Sequence, residues 1–228
     1  EKWKGTFASK QPALVLKNPR EIDFVNINSE TIIDSTDQIK NCAGIIIDMA
    51  EMPDMNDAEI EGIIVSLASR MKESSMIFLK NHVNRIKDLF RLVVELKLDG
   101  AVVDAAAPGG SRVAACLPTI GLAVKSWNFK ENNLKVFIKI DKQPSVKEML
   151  ISTASGCISI VGPEEKGDVD KNLQLNEIEL KEWMHELGID GLEKIGRRNL
   201  RASNYDTAAI SGLRLVGYNK SLPMWLGN

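Results

Sequence analysis

Long apolar runs are missing from this 228-residue chain. No stretch approaches the roughly 20 apolar residues that cross a bilayer, and no signal peptide opens it, so a cytoplasmic protein with no membrane partner is expected. A surplus of one charge is missing too: 29 Lys and Arg against 31 Asp and Glu leave a formal charge of −2. A general nucleic-acid binder would present a basic face, so nucleic acid is not an expected partner. Cysteine is scarce. Cys42, Cys116 and Cys157 lie far apart and form no C-x-x-C pair, which excludes a disulfide framework, a zinc site and iron–sulfur ligands, and fits a reducing compartment. No metal is expected. A methionine is absent at position 1, where Glu1 stands, and from this an upstream segment is expected.

What is present is ordinary for a globular core, with 44% hydrophobic and 26% charged residues. Seven short apolar runs read as strands: "PALVL" (12–16), "IDFVNI" (22–27), "AGIIIDM" (43–49), "SSMIFLK" (74–80), "GAVVDA" (100–105), "LKVFIKI" (134–140) and "GCISIVG" (156–162). Most are nearly continuous in Val, Ile and Leu, as strands buried on both faces are. Helical period fills the gaps. Residues 57–72 place Ile60, Ile63, Ile64, Leu67 and Met71 on one stripe with Asp57 as N-cap. Residues 83–97 do the same through Ile86, Leu89, Phe90, Val93 and Leu96, and 145–154 open on a Ser145/Glu148 capping box.

This βαβα order predicts an α/β fold with parallel strands, a compact or incomplete (β/α)8 TIM-type barrel, with an open doubly wound sheet as the alternative. The barrel is expected over 1–170, with C-terminal helices and an extended tail over 171–228. Those helices should break at Gly188, Gly196 and Gly212, with Asn176 capping the first and Asp206 the last.

The stretch "LDGAVVDAAAPGGSRVAACLPTIG" (98–121) holds the strongest candidate site. Asp104 ends a strand, and Gly109, Gly110 and Ser111 form a turn whose backbone and hydroxyl donors suit a small anion, with Arg112 adding charge. The competing reading is a tight turn that needs glycine for positive φ. Lys80 and His82 end another strand, "SSMIFLKNH". Asp48, Glu51, Asp54 and Asp57 cluster in "DMAEMPDMND". They match no calcium loop and read as a solvated loop, while Met49, Met52 and Met55 there offer a soft exposed patch for a partner. His185 reads as a surface histidine, and Arg197, Arg198 and Arg201 as a basic group able to pair with carboxylates.

Three stretches in order resemble the FMN-binding barrel domain of glutamate synthases and their archaeal glutamate synthase-like relatives. They are Asp104 with the Gly109-Gly110-Ser111 turn and Leu117-Pro118-Thr119, the paired strands "LKVFIKI" and "GCISIVG", and "MHELGIDGLEKIGRRNLRASNYDTAAISGL". The resemblance covers about the last two-thirds of the chain. It implies a barrel with a flavin or anion site lined by Lys80, Asp104, Gly109, Gly110 and Ser111, and an FMN-dependent oxidoreductase of nitrogen metabolism as one function. The departures point elsewhere. The family wraps the flavin phosphate with glycine-rich loops after the last two strands. This chain has Asp141-Lys142-Gln143-Pro144-Ser145 and Gly162-Pro163-Glu164-Glu165-Lys166 there. Proline removes donors, and one like-charge contact at about 4 Å costs roughly 4 kcal/mol at an effective dielectric near 20. The family's cysteine-rich cluster segment is replaced by "EEKGDVDKNLQLN". The expectation is a divergent, shortened member that holds no cofactor and acts as a non-catalytic scaffold or regulatory subunit. A protein partner or a second copy would dock through the C-terminal tail or the Met-rich loop.

Overall fold

The computed structural model describes residues 12–106, 113–163 and 167–220, and the chain groups by contact into two units. One unit takes 10–104 and 125–136; the other takes 1–9, 105–124 and 137–228. The first carries β1 (Leu14–Val15), β2 (Phe24–Ile27), β3 (Gly44–Asp48), α1 (Asp57–Ala68), β4 (Met76–His82), α2 (Ile86–Glu95) and β5 (Gly100–Asp104). Each strand pairs in parallel with the next in chain order, through Leu14↔Phe24, Phe24↔Gly44, Gly44↔Met76 and Phe78↔Gly100. A doubly wound sheet would reverse its order at a switch point. No reversal occurs among these strands, so the doubly wound alternative is wrong and the winding is that of an incomplete barrel.

Strand alternation sorts the side chains onto two faces. Val25, Ile45, Ile47, Leu79 and Val103 share one face and are at most 1% exposed, each contributing roughly 1.5–3 kcal/mol by burial. Helix α2 packs on β4 and β5, burying Leu89, Phe90 and Val93, and Phe90 stacks on Phe129 with centroids 4.1 Å apart. The opposite face carries Phe24, Gly44, Ile46, Phe78, Gly100 and Val102 by register. Its rings sit over glycines. A Cβ on Gly44 would lie 2.8 Å from the Phe24 ring, and one on Gly100 would lie 2.8 Å from the Phe78 ring and 1.9 Å from the Lys135 carbonyl oxygen. Phe24 and Phe78 meet edge to face at 5.6 Å.

The second unit holds most of α3 (Val113–Ser126), the end of β6 (Lys135–Lys139), α4 (Val146–Ala154), β7 (Ser159–Val161), α5 (Val169–Glu186) and α6 (Tyr205–Ser211). Strands β6 and β7 pair in parallel through Phe137↔Ser159 and Lys139↔Val161.

Most helices begin where their periodicity predicts, but three caps differ. Asn56, not Asp57, caps α1: its side chain accepts from Glu59 N while Glu59 accepts from Asn56 N, a reciprocal box that Asp57 is one residue too late to make. Helix α5 starts seven residues before the expected Asn176, capped by Asp168, and buries Leu173 and Leu180; Asn176 lies inside it. Asn204 caps α6, leaving Asp206 in its first turn. Ser145 and Glu148 cap α4 as expected. Gly188 (φ +65°) follows α5 and Gly212 (φ +63°) ends α6 in the left-handed region that favours glycine. Among the described residues no helix is long and apolar enough to cross a membrane.

Candidate functional site

Three strands carry a charged residue directly after an apolar run: β3 ends in "GIIID", β5 ends in "GAVVD", and β4 reads "MIFLK" before its last two residues. Register sets Asp48 beside Lys80, and His82 beside Asp104. The Lys80 ammonium donates to Asp48 Oδ2 and stands 3.2 Å from Asp104 Oδ2. Asp48 is fully buried, and Lys80 and Asp104 are each 5% exposed. A lone buried charge would cost several kcal/mol, so the three groups are stable there only together. Burial alone would push the Lys80 ammonium down. Its hydrogen bond to Asp48 and the charges of Asp48 and Asp104 outweigh that and hold it above the usual lysine value. Lys80 is therefore a held cation rather than a free amine nucleophile.

The structure thus brings Lys80 and Asp104 together as candidates from the sequence, while Gly109, Gly110, Ser111 and Arg112 lie outside the described residues. Asp48 is the residue the sequence reading assigned wrongly. Set among acidic neighbours it passes for a solvated loop residue, yet it ends a fully buried strand. Its neighbours disperse. Asp57 pairs with Arg91 at 2.9 Å, Glu51 accepts from Asn28 Nδ2 at 2.8 Å, and among the described residues no group of side chains is arranged to hold a metal ion. Met49, Met52 and Met55 are half-buried rather than exposed. The Nδ1 atom of His82 is buried with no hydrogen-bond partner among the described residues.

The loops after β6 and β7 turn their polar groups on each other. The Gln143 side-chain amide donates to the Pro163 carbonyl at 2.7 Å, and a Cβ on Gly162 would lie 2.7 Å from the Pro144 ring and 2.9 Å from the Lys142 carbonyl oxygen. At the N-terminus of α4, Glu148 Oε2 accepts from both the backbone N and the hydroxyl of Ser145, while its Oε1 pairs with Lys142 Nζ at 2.7 Å. Burial would raise the Glu148 carboxyl, but Lys142 and Ser145 draw it below the usual value. A helix N-terminus attracts anions. Here the anion is the helix's own side chain.

The remaining candidates are taken up internally. Cys116 and Cys157 are buried thiols pushed up to about 11 and about 12 by loss of solvent, too high for reactive thiolates. Arg197 donates to the Ser211 carbonyl at 2.7 Å, and Arg201 to the carbonyls of Arg198 and Leu200. Both arginines bind backbone oxygens. His185 is exposed on α5, as expected.

No family model and no curated protein matches the chain. Among solved structures it is similar to DHODH from Eimeria tenella, crystallised in complex with ferulenol, with a TM-score of 0.51 and 10% identity over 74% of this chain and 58% of that one. CdNal from Clostridium difficile in complex with mannosamine gives a TM-score of 0.40 at 14% identity, over 73% of this chain and 58% of that one. The chain thus spans a little under three-fifths of the length of these structures. The likeness to the DHODH chain is one of fold, and the fold is of the TIM-barrel type.

Proposed function

We propose that this chain is a divergent relative of the glutamate synthase flavin barrel that serves as a non-catalytic scaffold or regulatory subunit and binds no FMN. The observation that carries the reading is Glu148. Its carboxylate, bound by Ser145 and Lys142, takes the position at the start of α4 where a phosphate would be received. Gly162 pressed on Pro144 and the Gln143–Pro163 hydrogen bond leave the two loops facing one another. These residues do not fit a phosphate dianion, which would displace an internal carboxylate and lie beside it before gaining any donor.

The second reading, an FMN-dependent oxidoreductase of the glutamate synthase type, is favoured by one feature. A buried lysine stands at the C-terminal end of a barrel strand, the end on which TIM-barrel active sites are built. Against it, that lysine is already held by two carboxylates. The test is the visible absorption spectrum of the purified protein, followed by titration with FMN. A colourless protein that leaves FMN free is expected; a yellow protein with about one equivalent of bound FMN would overturn the scaffold reading.

A further inference from the structure

One face of the first unit has the features of an interface that is not made among the described residues. A groove of about 590 Å³ runs beside α1, with Ile32, Pro53, Met55 and Ile63 among its apolar walls and Asp54 and Arg70 among its charged ones. Ile33 nearby is 80% exposed and Val65, one turn beyond Gly62 on α1, is 61% exposed. Gly62 lines the groove in the middle of the helix, and a Cβ there would meet nothing within 4 Å. Glycine is the least favourable residue for a helix interior after proline, and no neighbour within the described chain requires it. Close approach of another molecule would.

We infer that the occupant is a second copy of this chain, docked across a two-fold axis that passes beside Gly62. The charges carry the choice. Arg70 donates to Thr36 Oγ1 at 3.0 Å and pairs with no carboxylate, and Asp54 is exposed and makes no ion pair, among the described residues. Gly62 stands eight residues after Asp54 and eight before Arg70. Asp54 lies just before α1 and Arg70 just after it, so two α1 helices packed antiparallel and crossing at Gly62 bring the Asp54 end of each copy to the Arg70 end of the other. The same axis sets the small residues Ala58 and Ser66 opposite one another. An isologous interface needs this self-complementarity, in which residue i meets j and j meets i. Met55 joins the contact, so this is where the Met-rich loop finds a partner.

The test is the mass of the full chain in solution, by light scattering after size exclusion and by sedimentation over a range of concentration. Wild type is expected to be dimeric. Arg70→Glu alone and Asp54→Arg alone, each placing like charges together, should weaken dimerisation by about tenfold or more. The chain carrying both changes should dimerise again, and so should an equimolar mixture of the two single variants, because each restores both pairs. Gly62→Leu, exposed and away from the core, should give a folded monomer, with folding checked by circular dichroism. A monomeric wild type would overturn the inference. So would a dimer that ignores the single charge reversals, or one that the double variant and the mixture fail to restore.

Discussion

Two lysine–carboxylate groups in this molecule look alike as chemistry and differ in setting. Lys80 lies at the ends of β3 to β5 with Asp48 and Asp104, and all three are nearly or fully buried. Lys142 pairs with Glu148 at the start of α4, and its side chain is 64% exposed. The buried group cannot lose a member cheaply, because each charge is tolerated only through the others. The exposed pair contributes little to stability and occupies the N-terminal end of α4. One set of charges supports the fold; under the function proposed above, the other keeps anions from the helix end.

The largest effect should come from breaking the buried group. Lys80→Met leaves Asp48 and Asp104 facing one another without a cation, and should cost about 3–5 kcal/mol of unfolding free energy in denaturant titration. Adding Asp48→Asn in that background should recover part of the loss. An effect below about 1 kcal/mol would show that the group is hydrated and the contrast drawn above is wrong.

The two regions should also differ in pH response, by a smaller amount. The Lys80 value is raised by folding, so its contribution is complete below the unfolded value near about 10.4 and is lost as pH rises through the folded one. The Glu148 value is lowered, so its contribution is present above about 4.3 and is lost as pH falls. Melting curves should therefore lose part of their alkaline decline in Lys80→Met and part of their acid decline in Glu148→Gln. Asp23 adds to the acid limb of both. It is a 2% exposed carboxylate that accepts from the backbone of Ala13 and from Arg20, which draw it below its usual value against burial.

The smallest effect belongs to the cap itself. Glu148→Ala removes half of a capping box and one exposed ion pair, and should cost about 1 kcal/mol or less. If that variant acquires affinity for inorganic phosphate while Lys80→Met does not, the division between a supporting group and a refusing group becomes sharper. No gain of affinity in Glu148→Ala would place the barrier to anions in the prolines instead.

The strands were legible because their apolar runs are nearly continuous and their spacing leaves room for a helix. The cluster they build was half legible. Lys80 and Asp104 each follow an apolar run and stand out, whereas Asp48 is masked by Glu51, Asp54 and Asp57, although "GIIID" carries the same signal as "GAVVD". Only pairing across strands distinguishes a buried carboxylate from a solvated one, and pairing is not local. The misplaced caps have a local cause. Asn56 and Asn204 each stand within two residues of an aspartate that can also cap, and the choice turns on which residue meets the third helical N–H. For α1 the Asn-x-x-Glu spacing from 56 to 59 gives the answer. For α5 the start at Asp168 lies in a stretch with few apolar residues to mark a helical period.

The in-order pairing of β1 to β5 has a consequence for how the chain reaches this state. Leu14 meets Phe24, Phe24 meets Gly44, Gly44 meets Met76 and Phe78 meets Gly100, so no pairing in this series waits for a strand beyond the next. The entropy of closing a loop rises only slowly with its length, which makes each addition to the growing sheet a step of similar difficulty. A nascent chain emerging from its N-terminus can add each strand to the one before it as soon as it appears. The final ion cluster is then assembled last, when β5 delivers Asp104 to a lysine that β3 has already half neutralised.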